Sequence, residues 1–178
     1  MIVRPVLCAP FVGRREELAY LHERRLAAAS SHGGLVLIAG EAGVGKSRLI
    51  REFCASLSRT RWRIGYGQCD ASASRPYGPI LDILSGLDES PFELGTAATK
   101  REQFDAIVQR FAQLAARRAL VLVIEDVHWA DAATLDVLAY FGPRLHRMRI
   151  SILASFRIAD LPPGHHAIDA VDKVAREA

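Results

Sequence analysis
Short runs of aliphatic and β-branched residues alternate along the chain with longer segments whose apolar positions recur every three or four residues. That alternation predicts an α/β domain built on a parallel sheet. A first helix is expected from about Arg14 to Ala29, with Glu16 and Glu17 early and Arg24 and Arg25 late, as the helix dipole favours. Gly33-Gly34 ends it, and Leu35-Val-Leu-Ile-Ala39 follows as a continuous apolar strand of the kind buried on both faces. A helix then begins near Lys46, with Leu49, Ile50, Phe53 and Leu57 on one stripe. Trp62 to Tyr66 reads as a second strand, Ala71 to Pro79 as a loop, and Ile80 to Leu84 as a short helix. Thr99-Lys-Arg-Glu102 has the form of a capping box before a helix that turns Phe104, Ile107, Val108, Phe111, Leu114 and Ala115 to one face. Ala119 to Ile124 is the third strand. Asp131 caps a helix carrying Leu135, Leu138 and Phe141 inward, which stops at Gly142-Pro143. Ile150 to Ser155 is the fourth strand. Pro162-Pro-Gly164 is a turn, and the tail forms a last helix over about 166–176.

Composition agrees with one soluble globular domain. Of 178 residues half are hydrophobic, 24% charged and 7% aromatic, which excludes a disordered chain. No run approaches the roughly 20 apolar residues that span a bilayer. Arg4, Pro5 and Pro10 break the N-terminus, so it lacks the apolar core of a signal peptide. A cytoplasmic protein with no membrane partner is expected. The net charge of +3 is spread thinly, and lysines account for only three of the 23 basic residues. The densest clusters, Arg59-Thr-Arg61-Trp-Arg63 and Arg144 to Arg149, fall where solvated helix ends and loops are expected. Nucleic-acid contact would need such charges on one face, and none is expected from this chain. Cys8, Cys54 and Cys69 are odd in number and lack ligand spacing, so they read as reduced thiols with no zinc site.

The chemistry sits between the first strand and its helix. Gly40-Glu41-Ala42-Gly43-Val44-Gly45-Lys46-Ser47 is a complete GxxxxGKS. Its glycines let successive backbone N–H groups turn inward around a β-phosphate, and the following helix presents its positive end to the same oxygens. Lys46 supplies a mobile cation for the β- and γ-phosphates, and Ser47 a hydroxyl for Mg²⁺. From average residue frequencies the pattern arises by chance in roughly 1 of 200 chains of this length. Here it also occupies the required strand–loop–helix context.

Such a loop needs acids at the end of a neighbouring strand. The third strand ends in Ile124-Glu125-Asp126, which places Glu125 on the metal side, through water, and Asp126 on the attacking water. The fourth strand ends in Ser155-Phe-Arg157, where Arg157 would meet a γ-phosphate by a charge-assisted hydrogen bond; a plain surface arginine is the alternative. Asp131 is read as a helix cap in preference to a metal ligand. His128 and Trp129 lie within reach of a nucleotide, but packing of Trp129 under the loop is the preferred reading. His165-His166 has no nearby third ligand and is read as loop.

These motifs together resemble the AAA-type, origin-recognition-complex-like ATPase domain of STAND regulators. That domain occurs in large LuxR-type transcriptional activators, in serine/threonine-kinase hybrids and beside the cyclase domains of soluble-type adenylate cyclases. The resemblance rests on Phe11-Val-Gly-Arg-Arg-Glu-Glu-Leu18, Gly40 to Leu49, Ile124-Glu-Asp-Val-His-Trp-Ala-Asp131 with Ala133-Thr-Leu-Asp136, and Ala154-Ser-Phe-Arg157. It implies an α/β P-loop NTPase core over 11–160, preceded by an extension (1–10) and followed by a tail (161–178). It also implies that Val12, Gly13 and Arg14 line an adenine pocket through backbone contacts. Lys46 and Ser47 would bind the phosphates and Mg²⁺ of ATP, Glu125 and Asp126 would form the Walker-B pair, and Arg157 would sense phosphate. In that family the sheet order is 5-1-4-3-2. No apolar strand follows Arg157 here, so the fifth strand and the lid are expected to be missing and the chain to be a truncated product or fragment. The first strand would then be an open edge prone to self-association, or to pairing with domains of a parent regulator.

Three functions remain open on the sequence. The first is a Mg-ATP-binding module that hydrolyses slowly as the timer of a signalling switch. The others are a non-hydrolysing nucleotide-binding interaction module and a fragment with no independent role.

Overall fold
The computed structural model describes residues 13–72, 75–87, 92, 99–157 and 159–160. Its elements in chain order are α1 (Arg15–Ala29), β1 (Gly34–Ala39), α2 (Lys46–Ala55), β2 (Trp62–Gln68), α3 (Gly78–Leu87), α4 (Lys100–Arg117), β3 (Ala119–Glu125), α5 (Ala132–Phe141) and β4 (Ile150–Phe156). The four strands form one parallel sheet in the order β1-β4-β3-β2. This is the order expected for the first four strands. Phe11 and Val12, and the turn and helix expected after residue 160, lie outside the described residues.

Alternation along the strands sorts the apolar side chains into two cores. Leu120, Leu122 and Ile124 of β3 and Ile150 and Ile152 of β4 pack with α3, α4 and α5. Val121 and Val123 of β3, Leu153 of β4 and Val36 and Ile38 of β1 pack with α1 and α2. A period of two puts successive side chains on opposite faces, so a strand covered by helices on both sides must be apolar at every position. β3 meets that condition, being buried from Ala119 to Ile124. β1 does not. Val36 and Ile38 are buried, but Leu35 and Leu37 are only partly covered, because β1 lies at the sheet's edge among the described residues.

The local signals hold. Thr99 and Glu102 exchange both hydrogen bonds of a capping box, and all six apolar residues expected on the inner face of α4 are buried. Asp131 caps α5 by accepting the Thr134 N–H at 3.0 Å. α3 is longer than expected, starting at Gly78, with Pro79 in its first turn, where its missing N–H costs nothing. Gly67 of β2 lets α3 close on the sheet: a Cβ there would lie 2.4 Å from the Pro79 carbonyl oxygen. α5 ends at Phe141, just before Gly142-Pro143 as expected, and a 3-10 turn over Gly142–Arg147 follows it.

Candidate functional site
The carboxyl ends of β1, β3 and β4 converge on the loop joining β1 to α2. Gly40, Gly43 and Gly45 all have positive φ, at 155°, 79° and 93°. Gly45 is the left-handed N-cap of α2, so the chain enters the helix in a conformation that side chains disfavour. At Gly40 a Cβ would meet Val44 Cγ2 at 3.0 Å. These positions give the backbone a concave path ending at a helix N-terminus, the arrangement that holds a phosphate. Lys46 is buried at 8% exposure and spans the loop, donating to the carbonyls of Gly40 (2.7 Å) and Glu41 (2.9 Å).

One contact ties the loop to the acidic strand end. The Ser47 hydroxyl donates to Glu125 Oε2 at 2.5 Å, across 78 positions of sequence. A hydroxyl and a carboxylate so placed are hard oxygen donors of the kind Mg²⁺ takes alongside phosphate oxygens and water. No three His, Cys, Asp or Glu side chains group into an all-protein metal site among the described residues. One hydroxyl and one carboxylate at this point fit a metal that a phosphate ligand also holds.

Asp126 follows at the end of β3 in a left-handed conformation (φ 57°), and its backbone N–H donates to the buried Ser155 hydroxyl at 3.2 Å. β4 thus fixes the turn that carries the second acid. Arg157, just past β4, donates to Asp160 at 3.4 Å. The His128 Nε2 lies 3.5 Å from the same Asp160 oxygen. Burial holds the His128 imidazole below its usual pKa, an effect that Asp126 and Asp160 oppose.

Trp129 departs from the sequence reading, Asp131 agrees with it and Arg14 adds to it. Trp129 is not packed under the loop; it is 47% exposed, with the His128 ring on one side at 5.2 Å. Asp131 has both carboxylate oxygens engaged by Thr134, which accounts for it as a cap. Arg14 contributes more than backbone: its side chain donates to the Val44 carbonyl at 2.7 Å and so clamps the loop to the start of α1. Sequence reasoning missed that clamp and the role of Asp160 as partner of Arg157, since neither has a motif. Beside Arg14, a cleft of about 580 Å³ runs along β1, walled by Tyr20, Leu21, Val36, Ile38 and Leu49.

A family model described as AAA ATPase domain matches residues 10–153, most of the chain and every element named above except the last three residues of β4. The chain belongs to the AAA ATPase domain family. An uncharacterised protein of Rhizobium meliloti is 28% identical over 171 residues, covering 72% of this chain and 17% of that protein. Among solved structures, Cdc6p of Pyrobaculum aerophilum matches at a TM-score of 0.57 and 16% identity, over 97% of this chain and 52% of that one. The Drosophila origin recognition complex bound to AT-rich DNA and Cdc6 matches at 0.54 and 17%, over 91% and 52%. At these identities the structures establish the shared fold: a parallel four-stranded sheet flanked by helices, as in the P-loop NTPases of that group. This AAA domain spans about half of those two chains and a sixth of the Rhizobium relative.

Proposed function
We propose that this AAA domain binds Mg-ATP and hydrolyses it slowly, as the nucleotide-dependent switch of a STAND-type signalling or transcriptional regulator. The observation that carries the reading is the Ser47–Glu125 hydrogen bond, which puts the loop's hydroxyl and the acid of β3 on one metal-sized point. In this reading the amides of Gly40 to Gly45 face the β-phosphate, and Lys46 exchanges its two loop carbonyls for the β- and γ-phosphate oxygens. Ser47, and Glu125 through water, would hold Mg²⁺, which would supply charge neutralisation to the phosphates. Asp126, set by Ser155, orients and deprotonates the attacking water. Arg157 leaves Asp160 for the γ-phosphate and reports its presence. Arg14 borders the adenine end, where the cleft along β1 has a volume in the range of small-molecule sites; Gly13 precedes it, and Val12, expected to line the same pocket, lies outside the described residues. The STAND assignment rests on the residues around Glu125 and Arg157, and on their resemblance to that group.

Calorimetric titration with ATP and Mg²⁺, together with phosphate release, tests the proposal. Lys46→Ala is expected to weaken ATP binding by about a hundredfold or more, the scale of a lost charge-assisted contact. Asp126→Asn is expected to bind normally and lose turnover. Equal turnover in Asp126→Asn and the parent would overturn the catalytic assignment. Binding with no phosphate release from the parent would identify the non-hydrolysing module instead.

A further inference from the structure
The opposite edge of the sheet collects a different set of charges. The amino ends of β2, β3 and β4 meet the C-terminus of α4 and the last turns of α1. Topology therefore brings Arg61, Arg117, Arg118, Arg149 and Arg25 around one cleft of about 370 Å³. The sequence spreads these five over more than a hundred positions, and the fold places them together. No acidic residue lines the cleft, and none of the five is ion-paired among the described residues.

A purely structural account covers only part of this set. Arg117 sits in the last turn of α4, where a cation answers the helix dipole, and Arg118 donates to the Arg59 carbonyl at 2.8 Å. Arg25 stacks over Trp62, 5.5 Å from the ring centroid, and its Nε finds no acceptor among the described residues. Arg61 and Arg149 have neither service. Five guanidiniums crowded without counter-charge repel one another, and an anion relieves that repulsion.

The walls of the cleft indicate which anion. Leu26 stands at its rim 58% exposed, with Ala29 beside it. Trp62 is 3% exposed beneath Arg25, so its indole face is not open for a base to stack on, and no exposed aromatic lines the cleft among the described residues. The five arginines line one cleft of limited volume, room for a few side chains of a docked segment. We propose that this cleft docks an acidic protein segment, with carboxylates on the arginine forks and an apolar side chain on Leu26. It lies at the end of the sheet away from the ATP loop and is independent of nucleotide chemistry.

Fluorescence anisotropy with the intact protein tests this, using a short labelled peptide of Asp, Glu and Leu, its Asn/Gln/Leu counterpart and a short DNA duplex. The acidic peptide is expected to bind in low salt and the amide peptide not to. Arg61→Ser combined with Arg117→Ser should weaken the acidic peptide about tenfold or more, since each removes a forked contact. Both residues are exposed, so the double variant should stay folded, with its unfolding midpoint lowered only slightly by loss of the Arg117 cation from the end of α4. Leu26→Ser should weaken the peptide with all five arginines present. Lys46→Ala should leave peptide binding unchanged. Absence of acidic-peptide binding would overturn the proposal, as would binding insensitive to the arginine variant. Arginine-dependent binding of the duplex in preference to the peptide would overturn it in favour of nucleic acid.

Discussion
The two edges of the sheet treat charge in opposite ways. At the carboxyl edge three polar side chains of the loop site already have protein partners: Lys46 its two carbonyls, Ser47 the Glu125 carboxylate, Arg157 the Asp160 carboxylate. A ligand that engaged these groups would exchange one set of hydrogen bonds for another. At the amino edge the arginines around the Trp62 cleft have no carboxylate partners among the described residues, and a ligand there adds contacts without breaking an ion pair of those residues. The carboxyl edge is also built on left-handed glycines that need freedom, whereas the amino edge is built on close backbone packing.

The sharpest way to break that contrast is to add one methyl group at each edge. At Gly33, where β1 begins, a Cβ would lie 2.3 Å from the Ile150 carbonyl oxygen and 2.6 Å from that of Leu145. Both obstacles are backbone and cannot swing away. Gly33→Ala is therefore expected to cost about 3 kcal/mol of stability in urea unfolding, at the upper end of overpacking. At Gly43 nothing lies within 4 Å, and only its φ of 79° resists a side chain. Gly43→Ala should cost about 1 kcal/mol, the left-handed penalty alone. Equal losses at the two positions would erase the distinction.

A smaller effect is expected where β4 supports the carboxyl edge. Ser155→Ala removes the acceptor of the Asp126 N–H and should cost about 1–2 kcal/mol, the penalty of stranding a partly buried donor. Turnover should fall with it while ATP affinity is kept, since the turn carrying Asp126 is loosened and Lys46 is untouched. A variant with parental turnover would separate Asp126 from its proposed task.

The smallest effect is one of pH. Burial depresses the His128 pKa below 6.5, so the unfolded chain takes up a proton there before the folded one does. The resulting stability is complete above about pH 6.5 and declines as pH falls toward the depressed value. His22, also depressed by burial and by Arg25, contributes in the same direction. His128→Phe should flatten the slope of stability between pH 7 and 5, as read by thermal unfolding, without abolishing it. An unchanged slope would show that His128 is not buried as a neutral imidazole.

Sequence alone determined the local features. Loop glycines, the Thr99–Glu102 box, the Asp131 cap and the apolar periods of α2, α4 and β3 were legible because backbone preference, capping and periodicity act over a few residues. The chain's pairing of Ser47 with Glu125 was approachable too, since strand ends in a parallel sheet fall at one edge. Tertiary structure decided the rest. Leu35 and Leu37 are half-covered because β1 is at an edge, although their run reads like that of β3. Trp129 faces outward because the 3-10 turn after Asp126 buries its neighbour His128. The Arg14 clamp, the Asp160 partner of Arg157 and the ring of arginines each join residues whose separation carries no pattern. Hydrophobic burial selects the topology, and these polar neighbours meet only as its consequence.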